Sequence, residues 1–295
     1  MVETFRHKPD QTRLNKTEAD KTGPDKTGHD KMASGNEVNL GLTSILTYVI
    51  SFPEDDKRRA VISERLAKQT ITPTFIDAVN GRTLSDAEKQ QYLDPNRQNW
   101  LPRQLSAGAL GCSLAHIKAW QALIASDADC ALILEDDAVL SDEAAPILNK
   151  LTGRSHQFDI ITLHHYKRRP RHKIEQLSSG HELSVVRYNQ IGAIAYLISR
   201  QAAMRLIKEV LPISFELDVY MNRWWQHGVS NMLIYPPIAA EDGRESSIGY
   251  RQQEPEWPND TPILKLKRRL NRALDSTKKR LGFWTYLNTR RKRWL

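Results

Sequence analysis

The sequence predicts an α/β fold, a largely parallel sheet of Rossmann character flanked by helices, and three observations lead to it. Between Ile45 and Leu163, short runs rich in β-branched and aliphatic residues alternate with segments whose apolar positions recur at helical spacing. Those short runs are continuously apolar, as strands covered on both faces are. One of them, Leu132-Ile133-Leu134, ends abruptly in Glu135-Asp136-Asp137. Three carboxylates therefore stand at the C-terminal mouth of a buried strand, where open α/β sheets bind ligands. Taken alone, the triplet reads equally as a turn capping the next helix. Held together, the carboxylates repel one another and need a cation or basic partners.

The 295 residues suffice for one large α/β domain or two smaller ones, and 40% hydrophobic with 26% charged residues is an ordinary globular balance. The net charge of +8 is localised: residues 263–295 hold twelve Lys or Arg against one acid, Asp275, so the preceding residues are net −3. Cys112 and Cys130 are too few for a disulfide framework and lack metal-site spacing. With no basic-then-apolar leader and no run of about 18 apolar residues, a soluble or peripherally attached protein of a reducing compartment is expected. Three regions follow: a disordered polar segment over 1–40, a folded domain over 41–261 and a basic amphipathic tail over 262–295. The first repeats Lys-Thr every five residues from Lys16 to Thr27 and cannot bury enough apolar surface to offset ordering. Met32 is an alternative start.

In order, Ile45–Ser51 is a strand stopped by Pro53, and Asp55-Asp56-Lys57-Arg58-Arg59 leads into a helix marked by Val61, Ile62, Leu66 and Ala67. Its arginines suit either phosphate or plain solvent. Phe75–Gly81 is a strand closed by an Asn-Gly turn, and 82–103 is polar and weakly helical. Ser106–Ser126 is the clearest helix, with Leu110, Leu114, Ile117, Trp120, Leu123 and Ile124 on one stripe; Gly108 and Gly111 allow a close approach at its start. His116, one turn before Trp120, has a structural reading and a functional one. Ser141 caps a helix to about Leu151, Phe158–Leu163 is a strand, and His164–Lys173 is a dense basic loop that could grip an anion or simply lie exposed. Val185, Val186 and Tyr188 suggest a short strand. Gly192–Ile198 is another, followed by a helix from Ser199 to Leu211. Phe215–Tyr220 leads into a helix through Trp224-Trp225, Met232–Tyr235 is the last strand, and Glu241-Asp242 follows Pro236-Pro237.

Five of these stretches, in this order, resemble glycosyltransferase family 25, which includes transferases that build bacterial lipooligosaccharide and lipopolysaccharide and the collagen galactosyltransferases. They are Tyr48–Arg59, Phe75–Gly81, Leu105–His116, Ala131–Val139 and Gly192–Arg200. The chain departs from the family pattern at Ala109, where Glu is usual, and at Ala115, where Ser is usual; either could alter substrate contacts or reduce activity. The resemblance implies a GT-A-like sheet, an inverting transfer from a UDP-sugar and a divalent cation, Mn²⁺ or Mg²⁺. A metal held by clustered carboxylates would neutralise the leaving diphosphate. Asp137 and Glu135 are the expected metal ligands, with Asp136 facing the ribose or the scaffold. Asp77 and His116 are expected on the nucleotide side, and Arg58 and Arg59 at the diphosphate or ordering their loop. For the general base, Asp218 among Leu217, Val219, Tyr220 and the Trp pair leads, with Glu241 and Asp242 as rivals and a helix cap as the alternative for Asp218.

Galactose is the family's usual donor sugar, with glucose a competitor, and the implied acceptor is a lipooligosaccharide or lipopolysaccharide saccharide. The tail then suits an anionic membrane surface, which would place the protein in the cytoplasm, peripheral on the inner membrane. A nucleic-acid contact, which is not expected, and a helix packed on the body are the alternatives. Two other functions remain: a metal-dependent phosphohydrolase, although no nucleophile motif accompanies the acids, and a non-catalytic nucleotide-sugar-binding protein.

Overall fold

The computed structural model describes residues 45–167, 170–187, 192–243, 257 and 259–294. The expected polar N-terminal segment with its alternative start, Tyr188, and two arginines of the basic loop lie outside these. The elements are β1 (Thr47–Ser51), α1 (Asp56–Ala67), β2 (Pro73–Asp77), α2 (Asp86–Tyr92), α3 (Ala107–Ala125), β3 (Cys130–Glu135), β4 (Ala138–Leu140), α4 (Ala144–Thr152) and β5 (Ile160–Thr162). The chain continues with β6 (Arg171–Gln176), β7 (Glu182–Val186), β8 (Ala195–Ser199), α5 (Arg200–Glu209), α6 (Leu217–Met221) and α7 (Trp224–His227). It closes with β9 (Asn231–Tyr235), β10 (Ala239–Glu241) and α8 (Pro262–Trp294).

Eight strands form one sheet in the order β2-β1-β3-β8-β5-β9-β7-β6. The expectation of a largely parallel sheet is corrected: β1 is parallel to β2 and β3, and β5 to β9, but β8 runs antiparallel to both β3 and β5, and β7 to β9 and β6. The cause lies in the connection after β5. It forms the β6–β7 hairpin, and a short hairpin turn forces opposite strand directions. β8 then enters the middle of the sheet reversed. Its fully buried Ala195–Ser199 run looks like that of a parallel strand because helices cover both faces. The half of the sheet made of β2, β1 and β3 keeps the parallel arrangement, and their C-terminal ends deliver Asp77, Ser51 and Glu135 to one edge.

Other boundaries also shift. Arg171–Lys173, the end of the expected basic loop, instead open an edge strand, Arg171–Gln176, in which Lys173 and Gln176 are exposed and Arg171 pairs with Glu182 at 2.6 Å. The aromatic stretch expected as one helix is two short ones, α6 and α7. The polar 82–103 region folds into α2, opened by a Ser85–Glu88 capping box, and a 3₁₀ turn at Arg97–Asn99.

Two apolar layers sandwich the sheet. On one face Val49, Leu132, Leu134 and Ile234 meet Ile62 and Leu66 of α1, Leu148 of α4 and Phe283 and Leu287 of α8. On the other Tyr48, Ile133 and Ile198 meet Trp120 and Leu123 of α3, Leu206 of α5 and Tyr220 of α6. The start of α3 lies directly on the 78–81 turn. A Cβ at Gly111 would sit 2.1 Å from the Val79 carbonyl oxygen, and one at Gly81 1.8 Å from that of Ala107, so no larger residue fits either position.

The tail is a helix packed along the body. Tyr286 stacks on Trp224 with ring centroids 4.3 Å apart, Asp275 accepts from Arg223 at 2.6 Å, and Asn271 donates to the Asn99 carbonyl at 2.9 Å. Near its end Arg290 donates to Asp159 at 3.1 Å. Asp159 is buried and also accepts from the Ser230 N–H at 3.0 Å, the Ser230 hydroxyl at 2.8 Å and Arg205. Burial alone would raise its pKa, but the Ser230 donors and the guanidiniums of Arg205 and Arg290 outweigh that and hold it below the usual value.

Asp159→Asn leaves Arg290 without its buried counter-charge and is expected to destabilise the protein by about 3 kcal/mol at pH 7 in urea unfolding. Because the folded-state pKa of Asp159 is depressed, its contribution is fully present above about pH 4 and is lost as pH falls through the folded value. The Asn variant should therefore lose that part of the acid sensitivity, and identical acid profiles would count against it.

Candidate active site

The site grows from the end of β3. Its interior is a run of fully buried aliphatics, so the chain can change character only where the strand leaves the sheet, at Glu135. Asp136 and Asp137 make the turn into β4, and β4 pairs antiparallel with β10, which sets Ala138 opposite Glu241. The Asp242 N–H donates to the Asp137 carbonyl at 2.9 Å. A two-stranded sheet thus brings two further acids to the triplet, although about a hundred residues separate them in sequence.

The five carboxylates are not equivalent. Asp136 is buried, with one oxygen accepting from the Ser51 hydroxyl at 2.7 Å and the other from Arg58 at 2.8 Å. Asp242 pairs with Arg65 of α1 at 2.9 Å. Glu241 accepts from the Tyr166 hydroxyl. Glu135 lies 3.5 Å from Nε2 of His116. Among the described residues Asp137 has no ion pair of this kind, and its Oδ1 is buried without a hydrogen-bond partner, although the charge of Arg58 is near enough to be felt. Burial first, and then the charges of Glu135, Asp136, Glu241 and Asp242, push its pKa up to about 7. An orphaned carboxylate oxygen among hard oxygen donors fits Mn²⁺ or Mg²⁺.

A cleft beside the cluster is lined by Ser51, Val79, Gly81, Gly108, Cys112, His116, Glu135 and Asp136. His116 is wholly buried on its floor. Its Nδ1 is 2.9 Å from the Tyr196 hydroxyl, which also accepts the Trp120 indole N–H at 2.9 Å. The His116 Nε2 faces Glu135 but has no hydrogen-bond partner among the described residues. The histidine is thus a packed core residue that presents one ring nitrogen to the cleft. Ligand atoms of Cys112, His116 and Glu135 all lie within 4.8 Å of one another, a thiol–imidazole set of softer character than the oxygen cluster. Glu135 belongs to both groups.

The remaining expected residues fall as follows. Arg59 donates to Asp77 at 2.6 Å and to the Ser51 carbonyl at 3.1 Å while its guanidinium lies over Phe75. Arg58 also bonds Asp55 at the cap of α1. Both arginines are thus engaged in tying the loop after β1 to the acids around it. Asp218 is nine-tenths buried in the first turn of α6 and accepts the N–H groups of Gly192 at 2.9 Å and Val219 at 2.7 Å. Burial first, then the charge of Glu135 and lastly that of Asp218 push the Cys112 thiol well up, so Asp218 is close enough to the cleft to be felt there. Glu241 and Asp242 stand beside Asp137.

Tyr166 is the main residue that sequence reasoning passed over. Beyond holding Glu241, its ring would lie 3.1 Å from a Cβ at Gly192, whose φ of +94° needs glycine in any case. It therefore links the acidic cluster to the segment that binds Asp218. The signal available was its position just past the end of β5, at the ligand-binding edge of the sheet. Tyr196 and Arg65 were also missed, since each acts through a residue remote in sequence.

A model of "Glycosyltransferase family 25 (LPS biosynthesis protein)" matches residues 45–221. The chain belongs to glycosyltransferase family 25. The match takes in β1, α3, β3 and Asp218, and it stops before Glu241 and Asp242. The chain is 27% identical to "Lipooligosaccharide biosynthesis protein lic2B" of Haemophilus influenzae, over 68% of this chain and 77% of that protein. It is 25% identical to "Probable inactive glycosyltransferase 25 family member 3" of Rattus norvegicus, over 72% of this chain and 40% of that one. To human "Procollagen galactosyltransferase 2" it is 23% identical, over 60% and 30%. The chain thus spans well under half the length of these animal members.

In the metal-free protein, Asp137→Asn should raise stability at pH 8 by about 1–2 kcal/mol, discounted for its partial exposure. The sign is opposite to that for Asp159. A carboxyl whose folded pKa is raised costs stability as pH rises from about 4, and the full cost is reached above about 7. The gain should therefore vanish near pH 4, and Mn²⁺ should raise the melting temperature of the wild type but not of the variant. A variant less stable than wild type at pH 8 would show that the cluster is not repulsive.

Proposed function

We propose that this family 25 member transfers a hexose, galactose before glucose, from a UDP-sugar to a lipooligosaccharide or lipopolysaccharide saccharide, with inversion and with a divalent cation. The observation that supports the reading is Asp137 at the mouth of the parallel β1–β3 pair, with one carboxylate oxygen left without a hydrogen-bond partner among the described residues and its pKa raised by burial and by the charges of Glu135, Asp136, Glu241 and Asp242. Asp137 and Glu135 would hold the cation, joined by Glu241 and Asp242, and the cation would offset the charge that develops on the leaving diphosphate. Ser51 and Asp136 line the cleft and are fixed by their mutual hydrogen bond and by Arg58 behind Asp136. The Val79–Gly81 turn lines it as well, held against α3 by glycine contacts.

Inversion needs a base near the acceptor hydroxyl, on the side away from the leaving group. Asp218 suits that role because Glu241 and Asp242 are drawn into the cation cluster. Two backbone N–H groups keep its carboxylate in a fixed orientation. The protein named for lipooligosaccharide biosynthesis, which the chain covers over 77% of its length, supports the acceptor class. A non-catalytic role is the second reading, favoured by relatives named inactive and by Ala109 and Ala115 in the glycine-rich segment at the start of α3.

The test is incubation with Mn²⁺, a panel of UDP-sugars and lipopolysaccharide core acceptors, following acceptor-dependent UDP release. Galactose transfer is expected from the wild type. Asp137→Ala should lower it by at least about a hundredfold with an undiminished melting temperature, a loss of roughly 2.7 kcal/mol of transition-state stabilisation. Unaltered activity in that variant would sink the metal assignment. UDP-sugar binding without turnover would establish the second reading, and release of inorganic phosphate would point to a hydrolase.

A further inference from the structure

α8 is amphipathic on both of its long sides, and only one of them is used by the fold. The body-facing side carries Arg268, Phe283, Tyr286, Leu287, Arg290 and Trp294, all buried. Gly282 lets this face lie against Trp224, where a Cβ would be 3.0 Å from the indole ring. The outward side carries Ile263, Leu266, Leu270, Leu274, Leu281 and Trp284, each at least 56% exposed. Among the described residues these are six of the nine exposed large hydrophobics, so the apolar surface of the protein is concentrated there. At about 100° per residue they fall within a stripe roughly 80° wide, opposite the packed face.

The charge around the stripe is of one sign. Lys267 and Lys278 flank it on one side, Arg269 and Arg280 on the other, all exposed. The single acid of the helix, Asp275, is turned to the body, where Arg223 and the Trp225 indole hold it. No described helix is long and apolar enough to cross a membrane. A rigid helix with an apolar ridge between two rows of cations is complementary to a bilayer whose headgroups are anionic. A second copy of the chain would bring the same cations into the contact. Nucleic acid would be gripped by the cations, with no use for the ridge.

We propose that the outward face of α8 docks this protein in the plane of an anionic lipid surface, the ridge entering the headgroup layer and the lysines and arginines pairing with lipid phosphates. This docking does not depend on the transferase reading, because it is measured without donor or acceptor. The full chain is sedimented with vesicles of phosphatidylcholine alone and of phosphatidylcholine with phosphatidylglycerol, at low and high salt. Binding to the mixed vesicles is expected, weakened by salt. In a variant combining Leu270→Glu with Leu274→Glu it should drop by at least about tenfold, while the melting temperature stays put because both side chains are exposed; Leu270→Gln with Leu274→Gln is the uncharged control. Failure to sediment with the mixed vesicles, or sedimentation undiminished in both variants, would overturn the proposal. So would a dimer in the wild type that the variants lose, or duplex DNA binding in place of vesicle binding.

Discussion

The structure turns on an uncompensated repulsion at the end of β3. Five carboxylates are brought together by a strand end, a two-residue turn and a small sheet, and the surrounding groups meet four of them. Arg58 and Ser51 serve Asp136, Arg65 serves Asp242, Tyr166 serves Glu241, and His116 faces Glu135. What remains is concentrated on Asp137, whose pKa is driven to about 7. Nothing in folding requires this, since a neutral turn would link β3 to β4 without the cost. Retained repulsion of that kind, with a strongly shifted carboxyl at a cleft, marks a candidate functional site.

The elements around the cluster hold it against that repulsion. α1 and the turn after it are tied to this region at three points: Arg58 and Arg65 to acids, and Gln69, just past the helix, to the carbonyls of Leu140 and Ser141. On the opposite face α3 is pressed to the sheet by Gly111, which places His116 and Cys112 under the cleft. The Trp120–Tyr196–His116 chain fixes the imidazole from the core side through hydrogen bonds of 2.9 Å, and its Nε2 stands 3.5 Å from Glu135. Buried networks of this kind are specific only when each member is satisfied, and here the end group faces the site.

The division between what the sequence disclosed and what it hid follows from range. The acidic strand end, the α3 helix with its cap at Ser106 and the close approach of its start are local features, written in consecutive residues. Strand direction is not local. β8 carries the same continuous apolar run in either direction, and only the intervening hairpin reverses it. β6 is a polar edge strand made by pairing with β7, so its first residues, Arg171–Lys173, announce a loop. In the site, the triplet was legible because its members adjoin; Glu241 and Asp242 could be named as acids but not placed, since β10 meets β4 only through the fold. Tyr166 and Tyr196 were invisible for the same reason.

The C-terminal segment shows how one composition can hide two functions. Twelve cations and regularly spaced apolar residues are compatible with an anchor, a nucleic-acid arm or a packed helix when read as a string. The three-dimensional placement sorts them by angle. Phe283, Tyr286, Leu287 and Trp294 complete the core against the sheet and against Trp224, so the packed helix accounts for that half. The outer leucines do not share this explanation, because folding gains nothing from apolar side chains that stay in water. Single exposed leucines are common and mean little. Six large apolar side chains in register, opposite a face already fully used and fenced by cations, are a selected surface, and its fixed seating on the body makes any docking there a constraint on the whole transferase domain.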